Sequence, residues 1–171
     1  IVLTMPIKQV SSLLWKGFLN KYMLPKSNYQ EFFTATFSSN KAYSKNIFDS
    51  SKSFSWICNN KLKGLFNEKN IYTVNFSPEI SFVYKELDYE SRVNAMENKL
   101  NRNGFDGIKN LAIHYWKHAF ANKQDHPSHL FDEDRQIGIC GDSFSIGQVD
   151  GAIISSNKVY QKLLSSNSLE G

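Results

Sequence analysis

The sequence predicts an α+β fold: a mixed, largely antiparallel sheet with flanking helices, closing on a strand–loop–helix that belongs to an α/β layer. Three observations carry that reading. Strand-like runs, rich in β-formers over 31–39 and with the two-residue period over 53–59, 70–77 and 110–120, crowd the middle of the chain. Only three longer stretches show the helical period instead. Each end of the chain ties a strand to a helix, whereas the middle strands follow one another without long helices between them.

Taken in order, residues 1–5 (IVLTM) form a short buried strand. Pro6 suits a first helical position, since its missing N–H would be unbonded there anyway. Ile7, Val10, Leu14 and Phe18 recur at helical spacing, which predicts one helix to about Met23, broken by Pro25, Ser27 and Asn28. EFFTATFSS is rich in β-formers. In SFSWICN, strict alternation sets Phe54, Trp56 and Cys58 on one face and Ser53, Ser55 and Ile57 on the other. NIYTVNFS groups Tyr72, Val74 and Phe76, and Pro78 ends it and opens a short helix. Val93, Met96 and Leu100 predict a helix over 91–102, stopped by Asn103–Gly104. NLAIHYWKHAF alternates again, with Ala112, His114, Trp116, His118 and Phe120 opposite Leu111, Ile113 and Tyr115. A loop rich in His, Asp and Pro leads to the strand QIGIC, a loop over 143–148 and a last helix from about Val149 to Ser165.

Composition narrows the function. With 41% hydrophobic and 21% charged residues the 171-residue chain is globular, not disordered. Its net charge of +4 is scattered, with no like-charged block, so no nucleic-acid partner is expected and an anionic small molecule is compatible. Cys58 and Cys140 sit in apolar stretches as buried free thiols, which fits a reducing, cytoplasmic location. No apolar run is long enough to span a membrane, and the opening residues lack the features of a signal peptide. His114 and His118, four apart on a strand, stand roughly 13 Å apart, too far for one ion. His126 and His129 (HPSH) read as a solvated loop. No metal site is expected.

The stretch IGICGDSFSIGQVDGAIISSNKVYQ holds the chemistry. Gly138 and Gly141 permit close backbone approach, and Asp142 stands at the carboxyl end of a strand, where open α/β sheets bind ligands. The amides of Val149, Asp150 and Gly151 are unpaired donors of a helix's first turn, suited to a carbonyl oxygen or an anion. Gly151, Ala152, Ser155 and Ser156 keep one helix face narrow. The residues alone leave two readings of Asp142, a ligand-binding carboxylate or a turn cap. The same holds for His114 and the aromatics beside it, as pocket lining or as core.

GICGDSFSIGQVDGAIISSNKVYQKL resembles the C-terminal flavin motif of the FAD-dependent amine-oxidase superfamily, and within it the renalase-like proteins. VLTMPIKQV, SFSWICNN, YTVNFSPEISFVYKEL and HYWKHAF are similar, in that order, to further strands of the family. The resemblance implies FAD as cofactor, held by Gly141, Asp142, Gln148, Val149, Asp150, Gly151 and Ala152. Asp142 would bond the ribityl chain, and the amides from Val149 to Ala152 would face the pyrimidine edge of the isoalloxazine. It implies a small-molecule substrate, against Trp56, His114, Trp116 and Phe144. Two departures put substrate identity in doubt: Ser143 and Phe144 follow Gly-Asp where bacterial members tend to have Trp, and Asn59 stands where Arg is frequent. No catalytic base is named, because hydride transfer needs none. The implied division is a substrate-binding-like domain over 1–135 and an FAD-contacting strand–helix segment over 136–171.

These residues contain no G-x-G-x-x-G strand–helix unit, so the chain resembles the C-terminal half of such an enzyme, without the N-terminal dinucleotide-binding half. Tight FAD binding by this stretch alone is not expected. Two functions follow: the C-terminal portion of a flavin oxidoreductase that oxidises a reduced nicotinamide-like or amine substrate with dioxygen as acceptor, or a non-enzymatic ligand- or protein-binding module.

Overall fold

The computed structural model describes residues 1–22, 24, 28–40, 53–64, 70–121, 127–144 and 148–167. The elements run β1 (Val2–Leu3), α1 (Ile7–Leu13), α2 (Lys16–Lys21), β2 (Tyr29–Ser38), β3 (Phe54–Asn59) and β4 (Ile71–Phe76). There follow α3 (Pro78–Lys85), α4 (Tyr89–Arg102), β5 (Lys109–Ala121), β6 (Leu130–Asp132), β7 (Ile137–Ile139) and α5 (Gln148–Asn167). The fold is α+β, as expected, with a mostly antiparallel four-stranded sheet and flanking helices. The chain forms two compact units, one of Glu31–Lys117 and one joining Ile1–Gln30 to His118–Gly171. The expected boundary at residue 135 lies instead in the turn of the β6–β7 hairpin, inside one unit, because these strands pair with each other (Leu130 with Ile139, Asp132 with Ile137).

In the unit of residues 31–117 the strand order is β3-β4-β2-β5. Period-two alternation points Phe33, Ala35 and Phe37 of β2 and Tyr72, Val74 and Phe76 of β4 to one face, where Tyr84, Met96, Leu100 and Phe105 cover them. Partly buried Leu111, Ile113 and Tyr115 of β5 join this core. Phe37 meets the edge of Phe105 with centroids 5.1 Å apart. The alternation expected for β3 is broken by a bulge. Phe54 pairs with Phe76, but Trp56 pairs with Asn75 and Ile57 with Val74. The extra residue therefore puts Phe54 and Ile57 on the core face and turns Trp56 and Cys58 to the other.

Both α-helices among the described residues of this unit are capped by side chains. Ser77 Oγ accepts from the Ile80 amide at 3.3 Å, with Pro78 at the helix start. Asp88 Oδ1 accepts from the Ser91 amide at 3.0 Å, which begins α4 two residues before the sequence period shows. Such a cap stabilises by about 1 kcal/mol.

In the other unit, β1 runs parallel to β7, with Val2 opposite Gly138 and Leu3 opposite Ile139. β6, three residues long, is too short to show a period and was not expected. The single helix expected over 7–23 is two helices, with Leu14 and Trp15 extended between them. This step buries Phe18 and leaves Trp15 at the surface, edge-on to Phe18 at 5.3 Å and under the Arg135 guanidinium at 5.0 Å. Pro25 and Ser27, expected to end that helix, lie outside the described residues. The core gathers Ile7, Val10, Phe18, Tyr29, Ile137, Ile139 and Phe144. α5 packs closely on β7: a Cβ at Gly138 would stand 2.3 Å from Val159 Cγ1, so only glycine admits the helix there. Both cysteines are free and buried. Among the described residues no helix is long and apolar enough to cross a membrane.

Candidate functional site

Within the unit of residues 1–30 and 118–171, a pocket of about 610 Å³ opens at the carboxyl end of β7 and the N-terminus of α5. Cys140, Gly141 and Asp142 form one wall, and Gln148, Val149, Asp150 and Ala152 another. These include six of the seven residues that the flavin resemblance singles out. The seventh, Gly151, is buried within α5. Gly141 has φ of 147°, a region that side-chain-bearing residues rarely enter, and this lets the strand end turn into the pocket. The turn is tied to the helix by fully buried Ser155, whose Oγ accepts from the Gly141 amide at 3.0 Å and lies 3.1 Å from the Gly141 carbonyl.

Asp142 is held by a chain of hydrogen bonds. The Ser143 hydroxyl donates to Asp142 Oδ1 at 3.4 Å and is itself hydrogen-bonded to the Tyr29 phenol. The phenol oxygen in turn accepts from the Ile7 amide at 3.0 Å. With the Ser143 proton on the carboxylate, the phenol is the donor to Ser143 Oγ. Burial raises the Tyr29 pKa above that of an ordinary tyrosine, against the opposing pull of its Ser143 and Ile7 hydrogen bonds. The phenol therefore keeps the proton that this chain requires. Aligned donors and acceptors of this kind polarise one another and fix rotamers.

The charge of the lining narrows what the pocket could hold. Asp142 and Asp150 contribute two carboxylates and no lining residue is basic, which disfavours a phosphate. Val149 and Ile153 are exposed apolar surface on the same helix, and Phe120 faces the pocket as well. The first-turn amides of α5 have no acceptor one turn earlier in the helix and carry its positive dipole end. A hydroxyl-bearing chain beside Asp142 and a planar, carbonyl-edged ring against the helix start match this set. Thr4, Phe120, Ile153 and Ser156 were not anticipated. Ile153 and Ser156 follow Val149 at spacings of four and three, a signal that the sequence did contain.

In the unit of residues 31–117, Trp56 on β3 and His114 and Trp116 on β5 share the sheet face opposite the core, at the two opposite edges of the sheet. His114 and Trp116 are edge-on with centroids 4.3 Å apart. Trp116 Nε1 donates to Thr34 Oγ1 at 2.9 Å, and Thr34 Oγ1 donates to Asn75 Oδ1 at 2.8 Å. Asn75 is the cross-strand partner of Trp56, so this polar row runs from the Trp116 indole across β2 and β4 to the strand that carries Trp56. Lys63 Nζ sits 4.7 Å from the Trp56 ring centroid. His114 is exposed, so it is not a core histidine. Thr34 and Asn75, alternate polar positions of their strands, were also missed.

Phe144 is placed differently. It is 1% exposed and belongs to the apolar core of its own unit, because the turn after Asp142 folds it inward beside Ile7 and Ile139. His118 packs edge-on against Tyr29 at 5.0 Å, and His126 lies outside the described residues. Among the described residues no group of three potential ligands could hold a metal. No known protein-family profile matches the chain, and comparison with curated proteins returns no match.

Proposed function

We propose that the chain supplies the flavin-contacting and substrate-facing parts of an FAD-dependent oxidoreductase of the renalase-like, amine-oxidase kind. Its substrate class is a reduced nicotinamide-like compound or an amine, with dioxygen as the acceptor. One observation carries the reading: residues picked out by a sequence resemblance at Gly141–Asp142 and at the start of α5 line one pocket.

These residues fit the group. The backbone at Gly141 leaves the strand end open, and Asp142 is oriented by Ser143 and Tyr29 to accept a ribityl hydroxyl. The amides from Val149 to Ala152 would take the pyrimidine edge, and their dipole stabilises negative charge there. Val149, Ile153 and Phe120 exclude water from an aromatic ring. FAD, when bound, supplies the two-electron chemistry, and the protein supplies binding and orientation. In the other unit, Trp56 and Trp116 offer indole surfaces to an aromatic or cationic substrate, and His114 offers a hydrogen-bonding ring nitrogen beside Trp116.

The test is to produce the full reading frame that contains this chain and to record its absorption spectrum after purification. A bound flavin that bleaches anaerobically with a reduced nicotinamide or an amine is the expected result. A colourless full-length protein that takes up no added FAD would refute the proposal.

A further inference from the structure

We propose that a second pocket, formed by α5 and the segment entering β6, binds a small phosphate-bearing anion. It is an open groove of about 400 Å³ lined by His129 and by the exposed side chains of Asn157, Lys158, Gln161, Lys162 and Ser165. The five α5 residues form two rows at spacings of four, Asn157, Gln161 and Ser165 beside Lys158 and Lys162, so their side chains stand on one stripe of the helix. His129 faces them from the segment before β6, its Nδ1 hydrogen-bonded to Ser128 Oγ at 3.1 Å.

The lining offers an anion two ammonium groups, two amides and an imidazole, while the Ser165 hydroxyl already donates to the Lys162 carbonyl at 2.9 Å. No carboxylate is among them. Glu133 approaches Lys162 Nζ at 3.5 Å, but both are largely exposed, and such a pair contributes little and yields to a better anion. Among the described residues Lys158 makes no ion pair. The lysine stems give the pocket methylene walls while their heads stay polar. Burial, and then the neighbouring Lys158 and Lys162, hold the His129 imidazole below its ordinary pKa, so the pocket by itself resists a further positive charge. A multivalent oxyanion relieves that repulsion, and phosphate presents enough acceptor oxygens to meet several donors at once. The first pocket, with two carboxylates and no cation, has the opposite preference. Asp150 and Lys158 are separated by about 12 Å of helix, so this site does not depend on the flavin proposal.

The experiment titrates the protein with inorganic phosphate at constant ionic strength, with chloride as the control, following the His129 imidazole signals by NMR. A saturable shift with phosphate and none with chloride is expected. Lys158→Gln with Lys162→Gln should weaken binding by about tenfold or more. If the double variant fails to fold, Lys158→Gln alone is read against the same expectation. No saturable change in the wild-type protein, the same response to chloride, or full affinity in a folded lysine variant would each overturn the assignment.

Discussion

The Tyr29 phenol and the Ser143 hydroxyl share a hydrogen bond across 114 positions of sequence, and through Ser143 the phenol is coupled to the Asp142 carboxylate. A residue at the start of a strand in the first thirty thus sets the orientation of a carboxylate near the far end of the chain.

Tyr29→Phe should therefore destabilise the protein by about 1–3 kcal/mol, because the Ile7 amide and Ser143 lose a buried partner. The raised Tyr29 pKa adds a pH signature. Above the ordinary tyrosine range the unfolded phenol ionises while the folded one stays protonated, so stability is intact below that range and falls as pH rises through it. Denaturant melts across alkaline pH should show a steeper loss for wild type than for Tyr29→Phe.

Asp142→Ala, in the full-length protein, should reduce FAD affinity by about ten- to a hundredfold, the worth of one charge-assisted hydrogen bond. Flavin fluorescence during dialysis measures it. Unchanged retention would remove the ribityl assignment.

His114→Ala should leave stability within about 0.5 kcal/mol, because the side chain is exposed. Flavin reduction in the full-length protein should slow while flavin content stays constant. Rapid-mixing reduction kinetics and thermal melting, run together, separate these effects, and unimpaired reduction would exclude His114 from the substrate site.

Gly138→Ala should cost about 1–3 kcal/mol by forcing the new methyl against Val159. Adding Val159→Ala should recover part of the loss, since the clash is with that side chain. A double-mutant cycle in urea reports the coupling, and strictly additive losses would show that the contact is not the cause.

The middle sheet was legible because its strands obey simple alternation: Tyr72, Val74 and Phe76 face the core as the pattern requires. Alternation failed at β3, where one added residue at Ser55 puts Phe54 and Trp56 on opposite faces. A bulge is a pairing event with the neighbouring strand, and the strand's own sequence does not encode it. The helix over 7–23 was misread for a similar reason. Leu14 and Trp15 keep the apolar period while tertiary packing breaks the backbone. At the candidate site, Gly141 and Asp142 were visible as a strand end with a turn pair. Tyr29 was not, because its role exists only through contacts with Ile7 and Ser143. Phe144 was misassigned since nothing local distinguishes a pocket aromatic from a core one.

The pairing of β1 with β7 has a consequence for the order of folding. The Ile1 nitrogen donates to the Gln136 carbonyl at 2.7 Å over a separation of 135 residues, so the parallel ladder closes a very long loop. Residues 31–117 form a compact unit whose two ends lie on neighbouring strands, β2 and β5. If that unit forms first, the loop left to close is much shorter, and the entropic cost falls by roughly 1 kcal/mol. During synthesis, the interrupted unit must wait for β7 to leave the ribosome, whereas the inserted one is complete once Lys117 has emerged. Nascent chains arrested once residue 121 has left the ribosome exit tunnel, with β7 still inside, should accordingly already protect residues 31–117 from protease, with residues 1–30 still cleavable.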